Sequence, residues 1–305
     1  MVMKKFLFFI CIMLISIFHT NFCMFLYQLQ KKQTFFNKFL KQKSPRKQIS
    51  PKQWFYLQRL FLKRHEILDA LKRELRISDL DWLKFHNEFI NTQIYNQLTL
   101  LQTPREDVIH EEKTSKLISI AKNIAQELGI NIDAVDIFLS VDKFLAESEK
   151  KESQAPWGLS CYQKKDCLRY KIPGIAINKN LIEKSKWPED VNNKSIEWFL
   201  ITHELTHLIC AHGVLKNMVK LLMQQYKNRA EPTPRIEFLK EELDKHIEKE
   251  ANEIPLVISE KIFKEIWKYS DCYLDSNCWW HEKIPGLGWP SNLAEIKKEV
   301  WDKRD

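Results

Sequence analysis

The chain has 305 residues, 44% of them hydrophobic and 29% charged, which is enough apolar material for a sizeable core and excludes disorder as the overall state. Six glycines, eleven prolines and an aromatic content of 12% exclude collagen-like and low-complexity sequence. The net charge is unevenly divided: residues 1–65 carry thirteen Lys or Arg and no Asp or Glu, and removing that +13 from the total of +8 leaves −5 on residues 66–305. A basic arm of this kind suits lipid head groups, while the acidic remainder lacks the distributed positive face of a nucleic-acid-binding domain, so nucleic acid is not expected as a partner.

Lys4 and Lys5 precede an apolar run from Phe6 to Phe18, the order of charge and hydrophobe found in secretory signals. That run alone is too short to span a bilayer, but a helix continued to Leu26 reaches about 20 residues, the length needed. Residues 1–26 are therefore expected to be a signal peptide or a membrane anchor, which makes the protein exported or membrane-anchored. Residues 27–52 form a basic linker, with Lys and Arg interleaved among Phe and Leu, either solvated or resting on an anionic membrane surface.

Helical spacing of apolar residues from Pro51 to Asn96, with a break at Ser78-Asp79, predicts two helices, an accessory segment over 53–100. Pro104 is expected to open a helical stretch that stops at Gly129. "AVDIFLSV" and "LRYKIPGIAI" read as strands with a polar segment between them. Asn193 or Ser195 then caps a helix containing "IEWFLITHELTHLICAHG", with Gly213 as its terminator. Further helices are expected through "IEFLKEELDKHIEKEANEI", ending near Pro255, and "SEKIFKEIWKY". The fold class is α+β, mostly helical with a small β-sheet, and residues 101–305 form the main domain with a Cys- and Trp-rich tail. Cys161 and Cys167, and Cys272 and Cys278, make two pairs suited to local disulfides in an exported domain, with free thiols or a structural metal as alternatives.

The sharpest signal is His203-Glu204-Leu205-Thr206-His207. Two histidines four residues apart on a helix share a face and can hold one zinc ion, leaving Glu204 to act as general base on a water molecule and then return the proton to the departing amine. The flanking Trp198, Phe199, Leu200, Ile201, Leu208 and Ile209 predict a buried helix, where uncompensated His and Glu are costly. Catalytic zinc takes a third protein ligand. Glu248 and Asn252 share a face of the acidic helix, so that one can coordinate while the other bonds to a ligating histidine; Glu250 and Glu253 are alternatives. Ala251 allows the two helices to approach closely. Possible donors to an oxyanion are His212, Tyr269, Tyr273 and His281. The spacing puts His212 and His246 off their respective ligand faces.

With HExxH at His203, Glu204 and His207, and Glu248, Ala251 and Asn252 in an ExxA[D/N] segment, the chain resembles the gluzincin metallopeptidases, in particular the family of the CAAX prenyl protease and HtpX-like peptidases. The resemblance covers roughly residues 115 to 265. It implies a zincin-like domain, one Zn2+ per chain held by His203, His207 and Glu248, and a protein or peptide substrate laid beside the cleft. The single amino-terminal apolar stretch departs from the several membrane spans of many prenyl-protease relatives. A catalytically inactive metal-binding interaction or chaperone-like protein is the alternative reading.

Overall fold

Ser50 and Pro51 start the first helix by a reciprocal cap: the Ser50 hydroxyl accepts from the Gln53 amide at 3.2 Å, and the Gln53 side chain accepts from the Ser50 amide at 2.7 Å. The helix, α1, runs Pro51–Glu74. In chain order it is followed by α2 (Asp79–Phe85), α3 (Thr92–Leu100), α4 (Lys116–Leu128), β1 (Asp136–Phe138), β2 (Gly158–Lys164), β3 (Lys171–Ile177), α5 (Lys179–Lys184), α6 (Asn193–Ile209), α7 (His212–Tyr226), α8 (Pro234–Ile258), α9 (Glu260–Trp267) and α10 (Leu293–Ile296), which runs into a π-helical turn, Lys297–Trp301. This computed structural model describes residues 49–85, 87, 92–112, 115–140, 158–164, 171–184, 193–226, 234–267 and 293–302. The expected anchor, most of the basic linker, Cys167, Cys272, Cys278 and the tryptophan-rich tail lie outside them. Among the described residues no helix is long and apolar enough to cross a membrane.

The α+β class, mostly helical with a small sheet, is what the chain adopts. Helix α6 is its axis. Ile196, Phe199, Ile201, Leu205 and Leu208 are all buried, and α6 packs against α4, α8, α9 and the sheet, as a helix apolar on nearly every face must. The sheet order is β1-β3-β2, with β1 parallel and β2 antiparallel to β3. A second core joins the later half of α1 to α2, α7 and the first half of α8 through Leu68, Leu71, Trp82, Met218, Leu222 and Ile247.

Several expectations are corrected. Among the described residues of 51–100 there are three helical stretches where two helices are expected. Pro104 does not open a helix, because the backbone around it extends the sheet: Ile137 donates to the Ile109 carbonyl at 2.7 Å and Glu111 donates to the Ile137 carbonyl at 2.9 Å. The buried Asp136 carboxylate holds this segment through the Ile109 amide and the Arg105 guanidinium. Helix α4 starts instead at the Ser115 cap, and it stops, as expected, at Gly129 in the left-handed region (φ 72°). β2 is not among the expected strands, since its Gly-Leu-Ser-Cys-Tyr-Gln-Lys sequence lacks an apolar alternation and is defined by its ladder with β3. Helix α6 ends at Ile209 rather than Gly213, because Ala211 (φ 55°) turns the chain. Helix α8 continues past Pro255 to Ile258. Its last carbonyls find outside donors: Gln53 of α1 bonds to Val257 O at 2.7 Å and the Trp301 indole to Leu256 O at 3.0 Å.

Two substitutions test this account. Ile247→Ala, at a fully buried position between α1, α7 and α8, should cost about 2–5 kcal/mol in urea unfolding. Gly129→Ala should cost about 1–2 kcal/mol by forcing a Cβ into the left-handed region.

Candidate metal centre

Helices α6 and α8 pack together, Ala251 of α8 is fully buried, and each helix contributes residues one turn apart. On α6, His203 and His207 turn their Nε2 atoms to within 2.9 Å of each other. On α8, Glu248 Oε2 lies 3.2 Å from His203 Nε2 and 3.3 Å from His207 Nε2. The three side chains form the group able to hold a metal ion among the described residues. Zinc bonds of about 2.0–2.2 Å to nitrogen and oxygen set tetrahedral edges of about 3.3–3.5 Å. The two edges to Glu248 are near that spacing, and the edge between the histidines is about 0.5 Å shorter. Two imidazoles and one carboxylate are also the donor set that leaves a fourth position open on zinc, so the residues fit the ion.

The division of labour on α8 comes from the i, i+4 spacing. Glu248 faces both histidines, and Asn252 Oδ1 lies 2.7 Å from His203 Nδ1. The Asn252 carbonyl oxygen accepts, so His203 carries its hydrogen on Nδ1 and presents Nε2 to the metal position. Glu250 and Glu253 are occupied elsewhere. Glu250, fully buried, pairs with Arg64 of α1 at 2.8 Å and with His212 at 3.1 Å. Glu253 accepts from the Tyr56 hydroxyl at 3.1 Å. The second oxygen of Glu248 accepts from Lys216 of α7 at 3.1 Å.

Two histidines set aside by helical spacing are engaged in this region. His212 is buried, with Nδ1 2.9 Å from His207 Nδ1 and Nε2 on Glu250. With both ring nitrogens so used it is not free to face an oxyanion. On an uninterrupted helix it would lie about 140° around from His207; the turn at Ala211 brings it back. His246 bonds to the Leu60 carbonyl at 2.8 Å and so ties α8 to α1. The other expected donors, Tyr269, Tyr273 and His281, lie outside the described residues.

Burial and the neighbouring carboxylates pull the site's ionisations in opposite directions. Burial disfavours a charged His203, but hydrogen bonding to Glu248 and the charges of Glu204 and Glu248 outweigh it and raise that imidazole above its usual range. For His207 burial prevails and the value is lowered, and for His212 it is pushed down to about 4. Burial would raise the Glu248 carboxyl, but the hydrogen bonds from His203 and His207 hold it well below the ordinary carboxylate range. Glu204 itself is buried.

Asn252→Ala should weaken zinc binding by about 10–100-fold in chelator competition. A proton and a metal ion compete for the Nε2 lone pair of His203, so zinc affinity should also fall as pH drops through the raised pKa of that imidazole, with proton release on binding measurable by calorimetry in buffers of different ionisation enthalpy.

No protein-family model, no curated protein and no solved structure matches this chain.

Proposed function

We propose that the protein is a zinc-dependent endopeptidase of the gluzincin type, with His203, His207 and Glu248 as ligands and Glu204 as general base. The observation behind this reading is the convergence of two imidazole nitrogens and one carboxylate oxygen at 2.9–3.3 Å, next to a buried carboxylate on the same helix. Zinc, when bound, supplies Lewis acidity toward a water molecule and a peptide carbonyl. The chain's own groups do the rest. His203 and His207 hold the ion with neutral nitrogens, and Asn252 keeps His203 in the tautomer that can do so. Glu204 takes the proton of the attacking water and delivers it to the departing amine, a role for which its burial beside the cationic centre suits it. The substrate is a protein or peptide, and the amino-terminal segment associates the enzyme with a membrane or directs its export.

Glu204→Gln keeps size and polarity but removes the base. It should retain about one zinc per chain while peptide-library turnover falls by about 100- to 10,000-fold. His203→Ala should lose zinc, and with it the ligand-dependent rise in melting temperature that a saturating ion confers, equivalent to about 2.7 kcal/mol at 100 times Kd. A native chain that binds zinc but cuts no peptide in the library would favour the inactive metal-binding reading.

A further inference from the structure

The ring nitrogen of His207 that faces away from Glu248 starts a buried chain of polar side chains that ends on α1, a helix with no residue in the ligand group. His207 Nδ1 lies 2.9 Å from His212 Nδ1, His212 Nε2 lies 3.1 Å from Glu250 Oε2, and Arg64 Nη1 lies 2.8 Å from the same oxygen. The direction of every bond can be read from its outer end. A guanidinium is a donor only, so Glu250 accepts from Arg64. Glu250 then accepts from His212 as well, which puts a hydrogen on His212 Nε2. A neutral imidazole with hydrogen on Nε2 has its lone pair on Nδ1, and only one hydrogen fits between two ring nitrogens at 2.9 Å. That hydrogen belongs to His207 Nδ1. His207 is left with a lone pair on Nε2, the atom that faces Glu248 and His203. Reversing the chain would put a hydrogen on Nε2 and block it as a ligand.

We infer that Arg64, Glu250 and His212 are positioning residues that fix His207 in its Nδ1–H tautomer, and that α1 is thereby part of the metal centre. The inference rests on the metal-binding reading above. A fully buried carboxylate paired with a cation is a poor way to stabilise a helix interface, because apolar residues of similar volume do as well or better. The arrangement is accounted for by what it does to His207. His246 supports it from the side: its Nε2 bonds to the Leu60 carbonyl and lies 3.5 Å from Glu250 Oε1, holding α1 in register with α8. His203 achieves the same tautomer with one partner, Asn252 of α8; His207 does so through three residues, one each on α7, α8 and α1.

The test uses the full-length chain labelled with 15N-histidine, together with competition for zinc against a chromophoric chelator. The native chain should show His207 protonated at Nδ1 with an unprotonated Nε2. His212→Phe, which can neither donate nor accept, should abolish that preference and weaken zinc binding by about 10–100-fold. His212→Gln, whose carboxamide can donate to Glu250 and accept from His207, should stay within about threefold of native. Arg64→Met should weaken binding in the same direction as H212F. Native His207 protonated at Nε2 overturns the inference whatever the variants do, as does an H212F protein that folds and binds zinc as the native chain does. If the native chain shows the Nδ1–H tautomer and H212F disturbs it, but the native chain takes up no zinc, the relay stands and the metallopeptidase reading fails. If zinc binds and H212F matches native, the relay alone fails.

Discussion

Helices α6 and α8 can pack closely only if the imidazoles and carboxylates between them are satisfied without bulk water, and much of the molecule is arranged to meet that condition. Taking a carboxylate out of water costs several kcal/mol unless it is paired and hydrogen-bonded. The buried Glu250 is held by Arg64 and His212 and the buried Glu253 by Tyr56, while Glu248, whose side chain is half exposed, is shared by two histidines and Lys216. These partners come from α1, α6 and α7, so each surrounding helix both seals the apolar core and ends in a polar contact with α8. The apolar burial around Ile247 and Ala251 brings the helices together; the polar contacts set their rotation.

Helix α1 shows this double role most clearly. Its apolar stripe closes the second core through Leu68 and Leu71, while Gln53, Tyr56, Leu60 and Arg64 meet α8 at Val257, Glu253, His246 and Glu250 in turn. From Gln53 to Leu60 the pairs advance along α1 as they retreat along α8, which is the register of two antiparallel helices, and Arg64 reaches back one turn to Glu250. A single residue inserted in either helix would rotate its downstream residues by about 100° and uncouple every later pair.

The sequence is most informative where chemistry obeys local periodicity. His203 and His207, and Glu248 and Asn252, are each separated by one helical turn, so their shared faces are legible without any tertiary contact, and the Gly129 cap is legible for the same local reason. The features that escape sequence reasoning are set by distant contacts. The stretch after Pro104 has helical composition but spends its backbone hydrogen bonds on β1, and β2 exists through its pairing with β3. Helical spacing misplaces His212 because the chain turns at Ala211, an alanine with none of the usual turn chemistry, while the glycine two residues later sits inside α7 with open space where a Cβ would be. Glu250 reads as a spare ligand because nothing local identifies Arg64, 186 residues earlier, as its partner.

The turn at Ala211 has a further consequence. A left-handed alanine costs about 1–2 kcal/mol over a glycine that adopts the same conformation freely, and this one is fully buried, so the surrounding packing holds it there. Relaxed to ordinary helical geometry, the same segment would join α6 and α7 into one continuous rod and swing His212 away from His207. The bend is therefore kept by the packing of its neighbours, and the place of His212 beside His207 and Glu250 depends on that packing.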